Sequence, residues 1–338
     1  MITLVSTVLN DRKALELFLK QMELQTRKPD EIVIVDGGSK DGTWELLEHY
    51  KMEGRLSLRC YLEPGCNVAQ GRNLAIEKAQ FELIASTDIG CEWDPEWLEE
   101  LITPLEADQE ISYVVGSWAV KSSSLVTPWA KAEYILKDRH IFVATPQSDA
   151  TSRSIAYRKS VWSSVGRYPE DLTLAADDST FNLLLKKYHF KAASAPLIRC
   201  YWHRFERLQQ FLKESKRNFY GDGEAFIARK HFVLVGGRLA LELLGFLSGI
   251  LFLVMYYGSF GQYIGIGGLF TTVFSFTHRV VRFQTKSKDL QKMQVKFALL
   301  RLLILDYLTK IWGLWGYILG FIHGSKACQN CRQRLHGN

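Results

Sequence analysis

The chain has 338 residues, 47% of them hydrophobic, with a formal charge of +6 and six cysteines. Its mean hydropathy of −0.06 averages two unlike parts, a first two-thirds that reads as water-soluble and a remainder rich in apolar runs. The charge is modest and the basic residues cluster beside the apolar runs. That excludes an extended nucleic-acid-binding face and points to an anionic membrane surface.

Residues 2–7 form a short β-branched run, the pattern of a strand buried on both faces. The apolar opening is too short for a signal peptide, lacks a basic start and runs into Asn10-Asp11-Arg12-Lys13, so the first domain is expected in the cytoplasm. Leu15, Phe18, Leu19 and Met22 recur at helical spacing, and Pro29 closes the connection. Residues 31–36 give a second buried strand ending in Asp36. A glycine-rich turn, Gly37 to Gly42, introduces a helix carrying Trp44, Leu46, Leu47 and Tyr50. A third strand is predicted at 56–62, a third helix at 67–79, and a fourth strand at 82–87, ending at Asp88. Asp94-Pro95-Glu96 reads as an N-cap followed by proline at the first helical position. The strand-like run 197–202 leads to His203.

Strands alternating with helices predict an α/β fold, a mostly parallel sheet flanked by helices, with ligands at the carboxyl ends of its strands. Asp36 and Asp88 both stand there. A dinucleotide oxidoreductase would need G-x-G-x-x-G after the first strand, where this chain has Thr7-Val8-Leu9-Asn10-Asp11. A G-x-x-x-x-G-K-[ST] phosphate loop is also missing. Cys60, Cys66, Cys91 and Cys200 are scattered like reduced core residues. Cys328 and Cys331 form a lone CxxC without the second pair of a zinc site.

Several motifs recur in order. They are Val5-Ser6-Thr7-Val8-Leu9-Asn10-Asp11, Pro29-Asp30-Glu31-Ile32-Val33-Ile34-Val35-Asp36-Gly37-Gly38-Ser39, Gly71-Arg72-Asn73-Leu74-Ala75 and Thr87-Asp88-Ile89-Gly90-Cys91. Downstream come Ser152-Arg153-Ser154-Ile155, Gly166-Arg167-Tyr168-Pro169-Glu170-Asp171 and Ala176-Asp177-Asp178-Ser179. This series resembles family 2 glycosyltransferases, inverting enzymes of GT-A fold.

The resemblance implies a donor site made by Thr7, Asn10, Asp36, Arg72, Asn73 and Asp88. Asp36 would contact base and ribose, and Arg72 the diphosphate through its planar fork. The plainer reading of Asp36, a turn aspartate capping the next helix, suits Asp41 better. Asp88 matches the first acid of the family's D-x-D motif, which holds a divalent metal, Mn or Mg. Gly90 stands in place of the second acid, so Glu92, Asp94 or the late His203 is expected to help. Asp178 matches the general base and Asp177 replaces the usual glutamate before it. The plainer reading makes this pair helix N-terminal acids, and the two readings are compatible. Arg153 falls on the acceptor side, as do Arg217 and Tyr220 of an R-x-x-Y-G-x-G stretch. The Q-x-x-R-W motif of processive synthases is missing.

Residues 204–232 mix aromatic and leucine positions with Lys and Arg, the pattern of amphipathic interfacial helices. Apolar segments near 237–257, 261–281 and 297–322 are each long enough to span, at about 20 residues per span. The third carries Arg301, Asp306 and Lys310, which makes it a candidate interfacial or re-entrant element. The basic loop between the second and third segments predicts a cytoplasmic face. The predicted organisation is a transferase domain at 1–203, interfacial helices at 204–232, a transmembrane region at 233–325 and a basic tail at 326–338. The predicted activity is transfer of a sugar from a nucleotide diphosphate sugar to a membrane lipid or lipid-linked glycan. A non-catalytic membrane scaffold and a processive polysaccharide synthase are the alternatives.

Overall fold

The structure, a computed structural model, describes residues 1–256 and 260–337. Residue 257, the end of the first expected apolar segment, and residue 338 of the tail lie outside the described residues. The chain divides into two compact units, one of residues 1–124, 140–204 and 323–338, the other of residues 125–139 and 205–322.

The first unit is built on one nine-stranded sheet. Its strands are β1 (Ile2–Val8), β2 (Glu31–Asp36), β3 (Leu58–Leu62), β4 (Leu83–Ser86), β5 (Cys91–Trp93), β6 (Tyr113–Val120), β7 (Ile141–Phe142), β8 (Ile155–Arg158) and β9 (Ala192–Trp202). The order is β3-β2-β1-β4-β8-β6-β9-β5, with β7 pairing on β6. The run β3-β2-β1-β4 is parallel, and β8 then joins β4 and β6 antiparallel. Beyond β6, β9 returns parallel and β5 closes the edge antiparallel.

Alternate residues of each strand face opposite sides, so the buried strands feed two cores. Ile2 and Leu4 with Ile32 and Ile34 pack on one face, beside Leu15, Phe18, Leu19 and Met22 of helix α1 (Arg12–Glu23). Val5, Val33 and Val35 pack on the other, against Ala69, Ala75 and Ile76 of α3 (Val68–Lys78). Helices α2 (Thr43–Glu53), α4 (Trp97–Ala107), α6 (Lys159–Ser164), α7 (Asp177–Lys187) and α12 (Gln329–His336) complete this unit.

One predicted cap moves. Helix α4 begins at Trp97 with Glu96 as its cap, because the Asp94 carboxylate accepts from Tyr201 Oη at 3.1 Å and lies 3.6 Å from Arg199. The two cysteines of the tail are buried. Cys328 Sγ donates to the Asp171 carbonyl, and the Cys331 amide donates to its carboxylate at 2.9 Å. Arg334 reaches the carbonyls of Val165 and Arg167 just after α6, and Lys187 Nζ of α7 donates to the Arg334 and Gly337 carbonyls, which holds α12 beside α7.

The second unit contains α5 (Pro128–Leu136), the amphipathic α8 (Leu208–Ala225), α9 (Arg229–Met255), α10 (Gly261–Lys292) and most of α11 (Ala298–Ala327). The last three are long and apolar enough to cross a membrane. Their outward faces carry large hydrophobic side chains such as Leu241, Leu244, Phe270 and Phe274. The charges that marked the third segment as a candidate re-entrant element are satisfied inside the bundle. Asp306 pairs with Arg279 and with Lys310, Glu242 lies 2.7 Å from Arg279, and Tyr307 Oη donates to Glu242 at 2.9 Å. Arg301 lies over the Trp129 ring, 5.0 Å from its centroid.

Candidate active site

Parallel packing places the carboxyl ends of β1, β2 and β4 side by side. Asp36 terminates β2 and is fully buried. Its Oδ1 accepts from the amides of Gly38 at 2.8 Å and Ser39 at 2.7 Å, whereas Oδ2 is buried with no protein partner. An unsatisfied buried carboxylate oxygen is costly, and at a strand end it is the atom a ligand donor would complete. The turn is shaped by Gly38 at φ 99° and by Asn10 at φ 51°. Asn10 ties the first two strand ends together, its amide donating to Ser39 Oγ and its Oδ1 accepting from the Lys40 amide. Thr7 lies against the start of α3, where a Cβ on Gly71 would stand 3.0 Å from its Cγ2. Asp41 has the predicted turn role, accepting from the Thr43 and Arg12 amides.

Arg72, on the first turns of α3, is 3% exposed and joins two acids. One guanidinium nitrogen donates to Asp177 and another to Asp88 Oδ1 at 3.2 Å. The Tyr168 ring lies beneath it, 4.9 Å from centroid to guanidinium carbon. Burial works against the Arg72 charge, but Asp177 first and then Tyr168 and Asp88 hold its pKa above the ordinary value. Burial raises the Asp177 pKa, Arg72 opposes that shift, and Asp178 and Asp88 add to it. Burial also pushes Tyr157 up to about 12 and Tyr168 well above the ordinary value, so both phenols stay neutral beside Arg72.

Asn73 follows Arg72 on α3 and is bonded within the fold. It is 2% exposed, and its amide donates to the Tyr168 carbonyl and to Glu170. Its oxygen accepts from Trp162 Nε1 and the Tyr168 amide. Through these bonds Asn73 clamps the 168–170 segment under Arg72.

Asp88 follows β4 with its side chain 47% exposed. Its loop is fixed by Ser6 Oγ donating to the Thr87 carbonyl and by Trp93 Nε1 donating to Thr87 Oγ1. Gly90 has φ 114°, a conformation in which any side-chain-bearing residue is strained. Gly90, at the position of the D-x-D motif's second acid, suits this turn as an acid would not. Among the described residues Asp88 Oδ2 accepts no hydrogen bond, which leaves a hard oxygen on a half-exposed side chain, fit for a divalent cation. His203 Nε2 lies 2.7 Å from Glu92, and Glu92 also pairs with Lys121. Burial pushes the Glu92 pKa up, but Lys121 and then His203 draw it below the ordinary range.

Asp177 and Asp178 are the first two residues of α7. Asp178 is half-buried and accepts from the Ser179 amide at 2.7 Å and the Ser152 amide at 3.5 Å. Arg153 lies between two indoles, 3.8 Å from the Trp202 centroid and 4.7 Å from that of Trp118. Tyr168 and Trp118 were not singled out from the sequence. Tyr168 stood inside a quoted motif, whereas nothing local to Trp118 marked it. Arg217 and Tyr220 belong to the second unit, on α8. The backbone of α8 approaches α11 at Gly316 and Gly320, where a Cβ would collide with the carbonyls of Lys216 and Tyr220.

Residues 3–166 match the family described as Glycosyl transferase family 2. The chain carries a family 2 glycosyltransferase domain. Within that match fall Asp36, Arg72, Asp88 and Arg153. Beyond it lie Asp177, Asp178 and the three long apolar helices. The chain is 31% identical over 101 residues to a teichuronic acid biosynthesis glycosyltransferase, TuaG, from Bacillus subtilis (strain 168). That match spans 30% of this chain and 40% of the relative. In structure it is similar to mannosyltransferase PcManGT from Pyrobaculum calidifontis, solved in complex with GDP-Man and Mn2+. The TM-score is 0.55 at 17% identity, over 93% of this chain and 87% of that one. This likeness gives the family 2 domain a GT-A-like fold.

Proposed function

We propose that the protein is an inverting glycosyltransferase, moving a sugar from a nucleotide diphosphate sugar to the hydroxyl or phosphate of a membrane lipid or lipid-linked glycan. The observation that carries this reading is the Arg72 bridge between Asp88 and Asp177 within a unit carrying a family 2 domain. It gathers one cation and two acids that the chain supplies from α3, the β4 end and the start of α7.

In this reading Asp36 Oδ2 accepts from the base or ribose of the donor, with Thr7 and Asn10 shaping the adjoining turn. Arg72 offers its fork to the diphosphate, exchanging part of its hold on Asp88 for phosphate oxygens. A divalent metal, Mn or Mg, would be held by Asp88, with His203 as a second candidate ligand, and would supply charge neutralisation to the nucleoside diphosphate. Asp178 accepts the proton of the attacking acceptor group. The acceptor oxygen forms the new bond at the anomeric carbon from the face opposite the breaking bond to the diphosphate, and the configuration inverts. Asp177 holds Arg72 in place. Arg153, Arg217 and Tyr220 are assigned to the acceptor. The long apolar helices favour an acceptor embedded in a membrane, with the transferase domain on the cytoplasmic side, where the basic loop belongs.

The test is a panel of nucleotide sugars scored by thermal shift with Mn2+ or Mg2+, followed by transfer assays on the donor that binds. Stabilisation by one donor, lost in Asp36→Ala, supports the reading. A panel in which no nucleotide sugar raises the melting temperature overturns it.

A further inference from the structure

We infer that the second unit contains a binding site for the phosphorylated headgroup of a membrane lipid, apart from any residue assigned to sugar transfer. Helices α5, α8, α9, α10 and α11 enclose a cavity of about 670 Å³. Six Lys and Arg line it against three Asp and Glu, so the cavity is cationic in balance. Most of these cations are already held. Asp306 pairs with Arg279 and Lys310, Glu242 pairs with Arg279 and Arg238, and Asp138 pairs with Lys286 at 2.8 Å. Lys137 and Arg282 line the same cavity and have no side-chain partner among the described residues. Both are exposed, so their charges are available to an anion entering the cavity.

The apolar surroundings say which kind. On α9 the cavity residue Arg238 comes just before the outward-facing Leu241, Leu244 and Leu247. On α10, Arg282 comes just after the outward-facing Phe270, Phe274 and Phe276. On α10 the cavity therefore lies where a candidate span changes from apolar to basic, at Arg282 and Lys286, the level at which headgroups meet hydrocarbon. A soluble phosphate would gain from Lys137 and Arg282 alone. A lipid phosphate gains from them and also lays its chains along the exposed leucine and phenylalanine faces. The anion is thus placed as a lipid headgroup.

The test uses the purified full chain in a neutral detergent, titrated with dioctanoyl phosphatidic acid, with dioctanoyl phosphatidylcholine and with inorganic phosphate. Phosphatidic acid should bind roughly tenfold tighter than phosphatidylcholine, and Lys137→Gln with Arg282→Gln should remove about that preference. Arg282→Gln alone should lose part of it, and serves if the double variant does not fold. Nucleotide-sugar thermal shifts should be unchanged in both variants, which separates this site from the transfer reading. Equal binding of the two lipids overturns the inference, as does an unchanged preference in the variants. Displacement of phosphatidic acid by equimolar inorganic phosphate would do the same, by reducing the site to one for a free anion.

Discussion

Arg72 and Asp177, 105 residues apart in the sequence, form an ion pair in the first unit, and Arg72 is almost wholly buried there. The pair joins the third helix to the start of α7, and the same guanidinium reaches Asp88. A buried ion pair adds little over a well-packed apolar substitute, but removing one partner strands the other's charge.

Arg72→Ala should therefore destabilise the domain by about 3–5 kcal/mol, measured by denaturant unfolding. Arg72→Lys should retain more stability yet bind the donor weakly, because one ammonium cannot fork between two acids. A loss below about 1 kcal/mol in the alanine variant would show that the bridge is not holding α3 to α7.

Replacing Asp178 by Asn should lower kcat by about 10²–10⁴ while leaving KM for the donor near its original value. Stability should barely change, since among the described residues this side chain accepts only from Ser179 and, at 3.5 Å, from the Ser152 amide. Unchanged turnover would remove Asp178 from the role of base.

A pH-dependent part of the fold's stability is expected from Glu31. Burial pushes its pKa up, but the Gln80 amide, Arg59 and Thr3 more than offset this and hold it below the ordinary 4.5. The folded value is depressed, so the contribution is present above 4.5 and is lost as pH falls through the folded value. Glu31→Gln should thus be less stable than the parent at neutral pH, and the gap should close on acidification. Melting curves from pH 7 to pH 3 check this, and a gap that widens in acid would contradict it.

Installing the missing second acid should not help. Gly90→Asp forces a side-chain-bearing residue to φ 114°, at a cost of about 1–3 kcal/mol. Metal-dependent activity should fall or stay level. A gain in both stability and activity would mean that the Asp88 loop is shaped differently in the working enzyme.

The sequence was most informative where burial is two-sided. β1 and β2 read as uninterrupted β-branched runs because both faces of those strands are covered, and their ends place Asp36. Asp88 was legible for the same reason. The Arg72–Asp177 bridge was not, since nothing local to either residue reports a partner beyond the next several elements. The bonds of Asn73 to the 168–170 segment were not legible either, because helix propensity signals only an unusual residue and not what its amide holds. The excursion of residues 125–139 into the second unit depends on distant contacts such as Lys286 Nζ donating to the Leu136 carbonyl. No periodicity encodes that pairing.

Helix α12 gives the chain an order of events. Its buried Cys328 and Cys331 and its Arg334 contacts join it to a unit whose sheet is encoded before the long apolar helices. All three long apolar helices must leave the ribosome before α12 exists, and at several residues per second that is a substantial wait. The sugar-transfer domain can thus collapse early around its sheet, but it acquires α12 only after the hydrophobic segments have been synthesised. Maturation of the soluble half is in this way timed by delivery of the apolar half.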